Sequence, residues 1–211
     1  MESNPKALSV EEFSKLKDEG CLIIDTRQSQ DVRKGFILGS YPIPLGTFFT
    51  KWTEGSIKKD TNLLVVAESG LEHESVSNLT TLGYTNVKGY LEGGFEAWVK
   101  AGKPVHEHKG ISGSDFVKKL GEKPQILDVR SKDEWDQGVL ENAQLINFLE
   151  LPSRGKEVPK DKPVYVHCKL GGRSLLAYGI LTSQGYDNVI DVLGGIESVL
   201  VAGGKLQPKS S

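Results

Sequence analysis

The sequence predicts an α/β fold built twice in tandem, each copy a parallel sheet with helices on both faces. Three observations predict it. First, short β-branched runs alternate with amphipathic helical stretches along the chain, the pattern of sheets covered on both sides. Second, the chain repeats itself at an offset of about 100 residues, as stacked copies of one unit do. Leu22-Ile23-Ile24-Asp25-Thr26-Arg27 returns as Ile126-Leu127-Asp128-Val129-Arg130, Leu82-Gly83-Tyr84-Thr85-Asn86-Val87 as Gln184-Gly185-Tyr186-Asp187-Asn188-Val189, and Leu91-Glu92-Gly93-Gly94-Phe95 as Val192-Leu193-Gly194-Gly195-Ile196. Third, Val164 to Gln184 reads as strand, tight loop and helix, with Cys168 at the junction.

In the first copy, residues 1–105, Ser9 with Glu12 forms a capping box that opens a helix through about Glu19, and Gly20 ends it. Cys21 to Asp25 is a strand, Gln30 to Lys34 a short helix and Ile43 to Leu45 an edge segment. Leu63 to Val66 is a strand. A helix from Glu72 to Leu82 stops at Gly83, Val87 starts another strand, and Phe95 to Ala101 is the last helix, stopped by Gly102 and Pro104. Lys103 to Gly113 reads as a linker. In the second copy, residues 106–211, a helix from Ser114 to Leu120 precedes a strand over Gln125 to Asp128. Lys132 to Gln137 is a short helix, Leu145 to Phe148 is extended, and Pro152 to Pro163 is a polar loop. After the Cys168 stretch, Val189 to Val192 and Ile196 to Ala202 close the copy, leaving a loose tail from Gly203 to Ser211.

Composition narrows the function classes. The 211 residues carry a net charge of −2, which argues against a general nucleic-acid binder. No apolar run approaches the ~20 residues of a membrane span. Met1 to Lys6 is polar and shows no secretory signal, and two cysteines make no disulfide framework, so the expected location is a reducing cytoplasm. His106-Glu107-His108 is read as solvated linker, since zinc recruits three or four protein ligands; no metal and no cofactor is expected.

The Cys168 loop carries the chemistry. It sits at the carboxyl edge of a strand, where open parallel sheets bind ligands. Its N–H groups and the following helix N-terminus converge on one point. Gly171 and Gly172 permit backbone angles that a side chain forbids, and Lys169 and Arg173 add cations. Such surroundings favour a thiolate nucleophile. Arg173 has two readings of equal weight on geometry alone: it holds an anionic donor, or it orders the loop by bonding a carboxylate. His167 is read as a packed core histidine in preference to a base, because strand neighbours point to opposite faces. Asp128 and Arg130 are read as a supporting pair. Cys21 is read as a structural thiol.

These residues resemble the rhodanese sulfurtransferases, whose mark is a cysteine opening a six-residue loop between strand and helix, here Cys168-Lys169-Leu170-Gly171-Gly172-Arg173. The family's Asp-x-Arg strand end is Asp128-Val129-Arg130, and its acidic–aromatic pair is Glu134-Trp135. Its Gly-His-Ile-x-Gly-Ala stretch is matched only in part by Gly138-Val139-Leu140-Glu141-Asn142-Ala143. The resemblance implies five main strands per domain. It also implies a persulfide on Cys168, formed from thiosulfate or glutathione persulfide, with Lys169, Leu170, Gly171, Gly172, Arg173 and Ser174 lining the substrate site. A thiol or cyanide then removes the sulfur. The first copy, Val66-Ala67-Glu68-Ser69-Gly70-Leu71-Glu72-His73-Glu74, has no cysteine and is read as silent. The tandem, with no tryptophan after Gly194-Gly195, is similar to the rhodanese region of metallo-β-lactamase–rhodanese fusions. That likeness implies a stand-alone or excised version and a persulfide dioxygenase as partner. Two alternatives stand beside the enzyme reading. One is a phosphatase or arsenate reductase, disfavoured by a loop one residue shorter than that of cell-cycle phosphatases. The other is a non-catalytic persulfide carrier or partner-binding module.

Overall fold

The computed structural model describes residues 5–209, and the chain divides into two compact units at His108/Lys109. The first unit contains β1 (Ala7–Leu8), α1 (Val10–Asp18), β2 (Leu22–Asp25), α2 (Ser29–Val32), β3 (Ser40–Pro42), α3 (Phe49–Ser56), β4 (Leu63–Val66), α4 (Glu72–Thr81), β5 (Val87–Leu91) and α5 (Gly94–Lys100). The second repeats the series as β6 (Gly110–Ser112), α6 (Gly113–Lys119), β7 (Gln125–Asp128), α7 (Lys132–Trp135), β8 (Ala143–Leu145), α8 (Leu151–Arg154), β9 (Val164–His167), α9 (Gly172–Ser183), β10 (Val189–Leu193) and α10 (Gly195–Val201). Each unit holds one five-stranded, all-parallel sheet flanked by helices, in the orders β1-β5-β4-β2-β3 and β6-β10-β9-β7-β8. The fold class and the duplication are as expected, and the two copies share one topology.

The repeated sequence motifs are repeated structural parts. Tyr84 and Tyr186 are buried and reach back with their hydroxyls, Tyr84 to the Thr53 and Ile57 carbonyls and Tyr186 to those of Gly155 and Val158. Asn86 and Asn188, two residues on, donate to the carbonyls of Asp60 and of Pro159 and Lys162. Each motif therefore pins the segment that leads into the central strand. The paired Asp-x-Arg motifs form matching buried forks: Arg130 Nη2 donates to Asp128 Oδ2 at 2.6 Å and to the Gly138 carbonyl, as Arg27 Nη2 does to Asp25 Oδ2 at 2.6 Å and to Gly35.

Several local expectations are corrected. The edge segments expected at Ile43–Leu45 and Leu145–Phe148 lie earlier, in β3 and β8. Apolar residues guided the expectation, but pairing begins at Ser40 against Ile23 and at Ala143 against Ile126. Single bonds such as Ile43 N–H to the Asp25 carbonyl then carry the chain beyond each strand. The expected linker is largely built into the units: His106 bridges Phe36, and β6 pairs with β10. The polar loop over Pro152–Pro163 contains most of α8, entered by Pro152 in its first turn. The tail is tied down through Gln207, which exchanges backbone bonds with Val139, and Lys209, which reaches Asp136 at 3.0 Å; Ser210 and Ser211 lie outside the described residues.

Candidate active site

The site is built where β9 ends and α9 begins. Val164 to His167 is buried along its length because β9 lies between β7 and β10. Cys168 follows, 1 % exposed, and the chain turns through Gly171 at φ 101° into a 12-residue helix. That left-handed glycine turns its own N–H back onto the cysteine, at 3.1 Å from Sγ. Sγ lies 3.7 Å from Ser174 Oγ, and the Ser174 hydroxyl donates to the Gly171 carbonyl at 3.2 Å. A thiol donates to this hydroxyl. On ionisation the hydroxyl can turn and donate to the sulfur. Lys169 and Leu170 are exposed at the rim, Leu170 by 70 %. Gly172 opens the helix.

Arg173 is held by a carboxylate. Its Nη2 donates to Glu134 Oε1 at 2.7 Å and its Nη1 to Oε2 at 2.5 Å. Arg173 holds the Glu134 carboxyl down at about 2, with the Ser131 N–H and hydroxyl helping against partial burial. Glu134 in turn, and then the neighbouring Cys168 against the cost of burial, push the guanidinium up, so it stays charged. Glu134 therefore ties the first turn of α7 to the first turn of α9. The sequence offered it only as half of an acidic–aromatic pair.

Beneath the loop, Asp128 and Arg130 are closed on each other, and the Arg130 carbonyl accepts from Asn147 at 3.0 Å. Among the described residues, the fork's side-chain bonds run within the pair and to the Gly138 carbonyl. From the other side, α10 grips the loop: Ile196 N–H donates to the Cys168 carbonyl at 2.7 Å and Glu197 N–H to that of Lys169 at 3.2 Å. Gly195, at φ +61°, permits this approach, since a Cβ there would lie 2.5 Å from the Lys169 carbonyl oxygen. The sequence showed the double glycine as a repeat without showing what it touches. Cys21 packs on the core of the first unit, and burial pushes its thiol up.

The rhodanese-like domain family matches the chain at residues 9–101 and again at 112–202. The chain belongs to the rhodanese-like family. Among curated relatives, a sulfurtransferase of Allochromatium vinosum is 37 % identical over 71 residues, 34 % of this chain and 66 % of that protein. A thiosulfate sulfurtransferase of Coxiella burnetii is 32 % identical over 73 residues, 35 % of this chain and 68 % of that one. An adenylyltransferase and sulfurtransferase of Ogataea parapolymorpha is 38 % identical over 74 residues, 35 % of this chain and only 19 % of that protein. Among solved structures, a thiosulfate sulfurtransferase from Pseudomonas aeruginosa aligns with 97 % of this chain and 44 % of its own, at 20 % identity and a TM-score of 0.45.

Strand register aligns the first copy with the second. Asp25 pairs with Val66 as Asp128 pairs with His167, so Ala67 stands where Cys168 stands. Gly70, at φ 88°, corresponds to Gly171, but its N–H donates to Glu72 Oε2 at 2.8 Å. The first rhodanese-like unit thus lacks the thiol and spends the equivalent amide on a carboxylate.

Proposed function

We propose that the chain is a sulfurtransferase that moves a sulfane sulfur from thiosulfate or glutathione persulfide, through a persulfide on Cys168, to a thiol or cyanide. The observation that carries this reading is the Gly171 N–H at 3.1 Å from Sγ, at the N-terminus of a 12-residue helix. Such an amide stabilises a thiolate and, after transfer, an anionic persulfide. The thiolate attacks the sulfane sulfur. A Cys168 S–S bond forms while the donor's bond breaks, and its electron pair leaves with sulfite or glutathione thiolate. The acceptor then attacks the terminal sulfur and takes it, returning the Cys168 thiolate, so oxidation states balance across the two halves and ping-pong kinetics follow. Lys169, exposed at the rim, favours anionic donors, while Arg173, paired to Glu134, orders the loop. Leu170, Gly172 and Ser174 complete the substrate-facing loop, with Asp128 and Arg130 supporting it from below.

The sulfurtransferase relatives support the reaction type. The donor class, a cytoplasmic setting and a persulfide dioxygenase as supplier of glutathione persulfide belong to the proposal; no helix among the described residues is long and apolar enough to cross a membrane. The test is intact mass of wild-type and Cys168→Ser protein after thiosulfate, then after glutathione persulfide. The expected result is a gain of one sulfur in the wild type alone, reversed by cyanide or a thiol. If reduced wild-type protein gains sulfur from neither donor, the reading fails, and aryl phosphate and arsenate should be tried next.

A further inference from the structure

His167 is fully buried in β9, one residue before the thiol. Its ring spans two acceptors. Nδ1 lies 3.3 Å from the Cys168 carbonyl oxygen, and Nε2 lies 3.7 Å from Asp128 Oδ2 with no hydrogen-bond partner of its own. A carbonyl only accepts, so the near contact is a bond only if Nδ1 carries the proton. The Asp128 carboxylate is already gripped by the Arg130 fork through both oxygens. Burial, opposed by Asp128, pushes the imidazole down, so the ring is neutral and Nε2 keeps a bare lone pair facing that carboxylate. A buried acceptor left without a donor costs stability.

The duplication shows that the fold does not require this cost. The silent copy keeps the same Asp25–Arg27 fork and the same strand register, and has Val66 at the equivalent place. The histidine stands only in the copy with the thiol, and its bond falls on the peptide of the cysteine itself. That carbonyl also accepts the Ile196 N–H, so two donors from two elements fix it.

We propose that His167 is a positioning residue: as the Nδ1–H tautomer it holds the Cys168 peptide from beneath, setting Sγ against the Gly171 N–H. This rests on Cys168 being the reacting thiol and deepens the reading above. Its effect belongs to the rate of thiol attack and leaves donor binding alone.

The wild-type protein gives the first test. Nitrogen-15 NMR of the His167 ring at neutral pH should show a protonated Nδ1 and a bare Nε2; a proton on Nε2 would overturn the assignment. Variants give the second. Iodoacetamide alkylation of Cys168 involves no sulfur donor, so it reads the thiol independently of the sulfurtransferase reading. His167→Val should slow alkylation and the maximal rate of sulfur loading about tenfold, the weight of one buried hydrogen bond, with donor KM unchanged. His167→Asn, whose amide can donate where Nδ1 does, should restore most of the rate. Wild-type alkylation in a folded His167→Val protein, or an equally slow His167→Asn protein, would sink the proposal. Normal alkylation of wild-type Cys168 without sulfur loading would count only against the earlier reading.

Discussion

The Arg173–Glu134 pair shows how a loop cation acts through its partner. Thirty-nine positions separate the two residues, so no spacing in the sequence announces the contact, although both belong to recognisable motifs. The Glu134 carboxyl falls from an ordinary 4.5 to about 2, first because Arg173 bonds it. Its folded value lies below its unfolded one. The stability it contributes is therefore fully present above about pH 4.5 and is lost as pH falls toward 2. Glu134→Gln should lower the urea midpoint at pH 7, and the gap between variant and wild type should close across that acid window. A constant gap from pH 7 down to pH 2 would show that the pair's charge has no part in it.

At the scale of elements, the inner strands were legible because β4 is a continuous apolar run, β9 is one up to His167, and β7 carries Ile126-Leu127 between polar ends in a motif that repeats β2. α3 was not. Phe49–Ser56 has no side-chain cap and carries two threonines and Gly55, so local propensity speaks against a helix that Trp52 and Phe49, packed inside, impose. β1 was hidden because two residues form no pattern; it exists through close approach, as a Cβ on Gly89 would lie 2.3 Å from the Lys6 carbonyl. Gly195 is the same device at the Cys168 loop, letting α10 hold the loop carbonyls. Gly195→Ala should cost about 1–2 kcal/mol for its left-handed backbone and also displace the loop, so sulfur loading should slow by more than about tenfold. Gly203→Ala supplies the comparison: at φ +93° it carries similar backbone strain with open space around it. It should lose stability but keep the loading rate. Equal loading rates in the two variants would remove α10 from the positioning of Cys168.

At the scale of the whole chain, the duplication is an internal control. The repeats made two copies of one fold legible, and the missing loop cysteine set the first copy apart from the second. The difference between the copies goes deeper than one substitution, into loop geometry that the sequence does not display. Ala67 takes the place of Cys168, buried at 2 % exposure. The Gly70 amide that would face a sulfur is held by Glu72, and Glu68 Oε1 accepts the Gln28 N–H at 3.0 Å. α4 also opens one residue later relative to its strand than α9 does, with Leu71 as its cap where Gly171 caps α9. A thiol placed there meets an amide already held by a carboxylate, where Cys168 meets the Gly171 N–H at 3.1 Å, and a like charge nearby disfavours a thiolate. Ala67→Cys in a Cys168→Ser background should therefore leave the first copy slow, with sulfur loading from thiosulfate at least about tenfold below that of wild-type Cys168. Adding Glu72→Gln should recover part of the difference by weakening the hold on the Gly70 amide. If Ala67→Cys alone loads sulfur at the wild-type rate, the strand–loop–helix frame suffices for the chemistry, and the polar surroundings of Cys168 do not set its reactivity.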